Sequence, residues 1–283
     1  MTTTTLTAPP VRHDETRPSF ARLVHSEWIK LRSLRSTVWS YAIVIAIAVG
    51  MAWLMSATFT GGMGGELDVA TAPAEQQVAF VVQAASFGVL FGQLVVGVLG
   101  VLSMSGEYTT GMIRSTLAAT PRRLPALAAK ATVLFLTTFA VGVVALLAAF
   151  VTANAVFAGS GVSVSLFDPE VVQPLLLGAL YLALVSVFAL GVGTMLRSSA
   201  GGIAAVLGLL LLLPTVLQML PADWAHDLVP YLLASAGMVM TTPPGAVDPA
   251  STDPNAWQSL AITVGWVAAS IAGAAVLLRR RDA

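Results

Sequence analysis

The chain has 283 residues, 57% of them hydrophobic and only 10% charged, with a mean hydropathy of +0.84. Soluble domains are roughly half apolar and a quarter charged, so an ordinary water-soluble fold is excluded. Basic and acidic side chains cancel at fourteen each, and the missing cysteine removes disulfides, thiolate metal sites and cysteine nucleophiles together.

Residues 1–18 are rich in Thr, carry Pro9 and Pro10 in tandem and lack the apolar core of a cleavable signal. They read as a disordered tail. From Ser19 to Arg35 the pattern is that of an amphipathic helix. Phe20, Leu23, Val24, Trp28, Leu31 and Leu34 share one face, and Arg22, His25, Lys30, Arg32 and Ser33 lie largely opposite. Ser19 suits the N-cap, and the basic face suits anionic headgroups or an acidic partner. Glu27 falls inside the apolar face, where an unpaired carboxylate is costly, so the sequence predicts a cationic partner on this helix or a neighbouring subunit.

Six charge-free apolar stretches then follow, with helices expected near Val38–Ala57, Val78–Ser103, Ala131–Val156, Val171–Met195, Gly201–Leu220 and Ser259–Leu278. One domain, residues 19–283, holds them all. In span two, Gln83, Ser86 and Gln93 share a face, and Gly88 and Gly92 form a small-residue pair suited to close helix contact, including contact with a second copy. Span five offers Thr215 and Gln218, and its Pro214 predicts a kink. In lipid, polar residues such as these five are candidates for interhelical hydrogen bonds.

Between spans two and three, residues 105–130 form the longest loop on the basic side. Gly111 can break the continuation of span two, Met112–Ala119 can form about two turns, and Pro121 ends them. The 221–255 segment begins with apolar residues that predict a short helix returning toward the membrane. It ends in a coil marked by Pro243, Pro244, Pro249 and Pro254.

All fourteen Lys and Arg fall before span one, between two and three, between four and five, or after six. Positive segments are retained in the cytoplasm, so both termini are expected there, in a plasma (inner) membrane. Most acidic residues fall in the alternate loops. No lysine follows a glycine in a phosphate-cradling loop, since Lys30 stands in Trp-Ile-Lys-Leu and Lys130 in Ala-Ala-Lys-Ala, so nucleotide hydrolysis is not expected on this chain.

The leading helix, six spans, the short element between spans two and three and the longer segment between five and six together resemble the permease subunits of ABC-2 type ATP-binding-cassette exporters. The span-two exit also resembles the family's, with Glu107, Gly111, Met112, Ile113, Leu117, Thr120, Pro121, Arg122 and Arg123 matching a loose motif. The resemblance implies an all-α, type V exporter-like fold in which residues 19–35 are a connecting helix with Glu27, Trp28, Lys30 and Arg32. It implies a coupling segment of Glu107, Tyr108, Thr109, Thr110, Gly111, Met112, Ile113, Arg114 and Thr116 that docks on a separate ATPase subunit. ATP and magnesium then belong to that partner, a second permease copy is expected, and the cargo is amphiphilic or hydrophobic. The resemblance also implies a central path lined by spans two and five, which makes Gln83, Ser86, Gln93, Thr215 and Gln218 candidates for that path.

The rivals are an ion-coupled transporter, an intramembrane enzyme and a non-transporting membrane anchor or sensor. No carboxylate or histidine lies inside the expected spans, neither H-E-x-x-H nor G-x-S-x-G occurs, and no internal repeat is visible. A nucleic-acid partner is not expected.

Overall fold

The computed structural model describes residues 19–61, 69–109, 111, 123–246 and 253–280, all of them helical or in connecting turns, with no strand among them. The expected disordered tail lies outside the described residues. So does most of the expected coupling segment: Thr110, Met112, Ile113, Arg114 and Thr116.

Helix α1 is Phe20–Ser33, and Ser19 caps it by accepting from the Arg22 N–H, as the sequence predicts. Leu34 adopts an extended backbone, and α2, Arg35–Thr60, follows at once. Span two is two helices, α3 (Ala74–Ser86) and α4 (Val89–Thr109), rather than the single helix expected. The break falls at Phe87–Gly88, where span two approaches α2 closely. A Cβ on Gly88 would lie 2.6 Å from the Ala48 Cα, so the backbone of span two meets that of α2 where no side chain fits.

Span three is α5, Arg123–Ala158, which begins at Arg123 rather than Ala131. Leu124, Ala126, Leu127, Ala128 and Ala129 favour helix, and Pro125 is tolerated in a first turn, where no intrahelical N–H bond is lost. Span four is α6, Pro169–Leu196, with the Asp168 side chain accepting from the Glu170 N–H as its cap. Span five comprises α7 (Ser199–Leu207), a π-helical turn (Gly208–Leu212) and α8 (Leu213–Met219). The wide turn is the physical form of the expected Pro214 kink, because a proline ring would collide with the carbonyl four residues back in a regular helix. Short α9 (Asp223–Leu228) and α10 (Leu233–Met240) precede span six, α11, Ala256–Arg280. Among the described residues, six helical segments are long and apolar enough to cross a membrane.

Helix α6 is the axis of the bundle, buried over most of its length and packed against α4, α5 and α11. Small residues allow the approach. A Cβ on Gly100 of α4 would fall 2.3 Å from the Ser186 carbonyl oxygen, and one on Gly191 would fall 2.8 Å from the Ser270 carbonyl carbon. In lipid such contacts replace the hydrophobic drive that water supplies elsewhere. Gly88 and Gly92 are both buried, against Ala48 and Leu182 of the same chain, and so are not available to a second copy.

One end of the bundle gathers the start of α2, the end of α4, the start of α5, the α6–α7 junction and the end of α11. Lys30, Arg32, Arg35, Lys130, Arg197, Arg279 and Arg280 lie at this basic end. At the far end, α10 is sunk between α6 and α11 with Leu233, Ala234, Ala236, Gly237 and Met240 buried, which is the returning helix the sequence predicts.

Candidate functional site

The basic end holds a closed ring of four charges built from three helices. Lys30 Nζ donates to Glu27 Oε1 at 2.7 Å, one turn back on α1, and to Glu107 Oε1 of α4 at 3.4 Å. Lys130 Nζ of α5 donates to the same Glu107 oxygen at 2.8 Å and to Glu27 Oε2 at 2.5 Å. Both lysines of the chain are in this ring, and its carboxylates are the only acidic residues at the basic end among those described. The side chains of Glu27, Glu107 and Lys130 are 7%, 9% and 12% exposed and Lys30 is 32% exposed, so the ring is largely withdrawn from water.

The expected partner of Glu27 on its own helix is therefore present, and a second comes from α5 of the same chain. Glu107 corrects the expectation that no carboxylate lies within the spans. Helix α4 continues past Ser103 to Thr109, which carries Glu107 inside its last turns. Lys130, passed over as a loop charge, faces both carboxylates because α5 starts early. The signal that would have exposed it was countable: the chain has only two lysines, and Glu27 and Glu107 are the glutamates that the helices carry on its basic side.

Burial pushes the Glu27 carboxyl up, but Lys130 and Lys30 outweigh it and hold the group below its ordinary pKa. Burial likewise pushes the Lys30 ammonium down, and Glu27 and Glu107 outweigh it and hold it above its ordinary value. A lowered carboxylate contributes stability that is present above its unfolded pKa and lost as pH falls through the folded one. A raised ammonium contributes stability that is present below its unfolded pKa and lost as pH rises through the folded one. The melting temperature of the purified chain should therefore hold through neutral pH and fall below the ordinary glutamate range. Glu27→Gln should show a smaller further loss on acidification, read by tryptophan fluorescence in detergent. An equal acid-side loss in both proteins would contradict this.

Around the ring, α4 is tied to the next turn of the bundle. The Arg197 guanidinium lies 5.2 Å from the centre of the Tyr108 ring, and Ser199 Oγ donates to Ser105 Oγ at 2.8 Å. Gly111, with φ of +72°, ends the run of α4 and donates its N–H to the Tyr108 carbonyl at 3.3 Å. This is the break expected there, in the backbone region glycine occupies without strain. Thr109 closes α4, while Trp28 and Arg32 are exposed on α1 and take no part in the ring.

The candidate path residues divide. Gln83, Ser86 and Gln93 line one cavity of about 310 Å³ toward the far end, together with Phe87, Tyr181 and Met238. Thr215 and Gln218 do not join them. Both are exposed on α8, where the Thr215 hydroxyl donates to the Leu211 carbonyl and the Gln218 carbonyl lies 3.4 Å from His226 Nε2. Tyr181 was not singled out, although a lone phenol inside an apolar span needs a hydrogen-bond partner. Here it donates to Gln93 Oε1 at 2.5 Å.

Compared with known proteins, the chain matches no family model and no curated protein.

Proposed function

We propose that this chain is the membrane-spanning permease subunit of an ABC-2 type exporter. It couples ATP hydrolysis on a separate cytoplasmic ATPase subunit to the export of an amphiphilic or hydrophobic substrate. The basic end then faces the cytoplasm, the membrane is the plasma (inner) membrane, and two permease copies complete the pathway.

The observation that carries the reading is the ring Glu27–Lys30–Glu107–Lys130. Residues 110–122, the segment that would meet an ATPase, leave from the end of α4 and return at the start of α5. The ring clamps those two ends to each other and to α1. A displacement of the segment or of α1 is thereby delivered to spans two and three as one body. Largely desolvated ion pairs are stiff links of that kind, because breaking one leaves an uncompensated buried charge. The same geometry gives Glu107 a structural use, as the shared acceptor of Lys30 and Lys130.

The test is co-purification of the full chain with the ATPase encoded beside its gene, followed by ATPase rates in nanodiscs. A stable complex is expected, with a rate changed several-fold by Gly111→Val and by Arg114→Glu. Failure to co-purify, or a rate indifferent to both changes, would overturn the proposal.

A further inference from the structure

The far-end cavity has the makings of a site that the charged ring does not explain. Its wall includes the interruption at Phe87–Gly88, and a break in a membrane helix is tolerated where it is buried in protein or lines a cavity. Ser86, at the last position of α3, is only 6% exposed, and its hydroxyl has no hydrogen-bond partner among the described residues. A helical serine usually bonds back to its own backbone, as Ser56 and Ser103 do here. An orphaned buried hydroxyl is costly, and a ligand that accepts from it removes that cost.

Gln93 is 2% exposed and poised in the same way. Its Oε1 accepts from Tyr181, and its Nε2 donates one hydrogen to the Leu90 carbonyl at 3.1 Å, which leaves the second hydrogen of the amide. By contrast, the hydroxyls of Thr241 and Thr242 are already bonded to the carbonyls of α10. Apart from Gln83, the rest of the described wall is mainly aliphatic and aromatic, and none of the described lining residues is charged. An ionised ligand would enter without a counter-charge, at a cost that no group here offsets.

We infer that this cavity is a binding site for an uncharged, mainly apolar molecule that carries a single hydrogen-bond acceptor, a ketone or an alcohol, received by Ser86 and Gln93. At about 310 Å³ it is at the small end of ligand sites, sized for an aromatic or alicyclic body of one or two rings. Filling the cavity is a property of this chain alone and does not rest on the export reading. The experiment uses no ATPase, so the failure of one leaves the other standing.

Benzophenone is a suitable probe, because it is an uncharged aromatic ketone whose photochemical insertion favours methionine, and Met238 lines the cavity. The full chain in phosphatidylethanolamine–phosphatidylglycerol nanodiscs is irradiated with increasing probe, and the adducts are mapped by peptide mass spectrometry. Labelling of Met238, which lines the cavity but is 62% exposed, should show a saturable component above a linear background, while Met219, 80% exposed and outside the cavity lining, should show the linear rise alone. Ser86→Ala removes an unpaired hydroxyl and leaves folding intact, and it should raise the half-saturating concentration about five-fold. Ala79→Trp, at a half-buried lining position, should cut Met238 labelling about ten-fold, and the anionic 4-carboxylate of the probe should label about ten-fold less than benzophenone. Labelling of Met238 that tracks Met219 without saturating overturns the site. So does a half-saturation unmoved by Ser86→Ala, or equal labelling by the carboxylate.

Discussion

Lys130→Met is expected to destabilise the folded bundle by about 3–5 kcal/mol. Methionine matches the lysine stem in length, so the change removes charge and hydrogen bonds with little loss of volume. What remains is two carboxylates, Glu27 and Glu107, on neighbouring helices and each less than a tenth exposed. Only Lys30, a third exposed and 3.4 Å from Glu107, is left to serve both. The double change Lys130→Gln with Glu107→Gln keeps the site neutral and able to hydrogen-bond, and should cost much less than Lys130→Met. With the single changes Lys130→Gln and Glu107→Gln measured beside the double, unfolding in mixed micelles gives the coupling directly as a double-mutant cycle, free of the separate cost of each substitution. A Lys130→Met protein within about 1 kcal/mol of the parent would mean that the ring is solvated and carries little. If the ring is the clamp proposed, the same variant bound to its ATPase would hydrolyse ATP without transport.

The spans were legible in the sequence because each is an apolar run bounded by charge, and burial of backbone in lipid leaves helix as the only solution for such a run. The partner of Glu27 was legible for the same kind of reason, since a carboxylate on an apolar face demands a cation. What failed to show was anything decided by which helix lies beside which. The residues around the break, Ser86 to Gly92, are mostly apolar like their neighbours, and glycine is common in membrane helices. Only the proximity of Ala48 shows why no side chain fits at Gly88. Lys130 stands 103 residues from Glu27 in sequence, and no local pattern joins them. In the cavity, the face of span two was read correctly from its period, whereas Thr215 and Gln218 were grouped with it by the resemblance and not by any spacing. Their place on exposed α8 follows from the low burial of span five, a property of the assembled bundle.

The floor of that cavity yields the second large effect, in Gly237→Ala. A Cβ built on Gly237 would lie 2.2 Å from Tyr181 Cζ and 2.5 Å from both Cε atoms, directly against the ring. A flexible side chain would move aside at small cost. Tyr181 is 1% exposed, enclosed by α4 and α10, and bonded through its hydroxyl to Gln93, so it moves only by breaking that bond and displacing its neighbours. Overpacking of this kind costs about 1–3 kcal/mol, and the lost hydrogen bond adds about 1 kcal/mol. A single methyl should therefore lower stability by about 2–4 kcal/mol, although alanine is the better helix former by nearly 1 kcal/mol. The decisive comparison is in a Tyr181→Leu background, where the ring atoms that meet the methyl are gone. There Gly237→Ala should be close to neutral, and the difference between the two backgrounds measures the contact itself. Equal costs in both would show that Gly237 is needed for a reason other than Tyr181, and would remove the rigid floor on which the orientation of Gln93 depends.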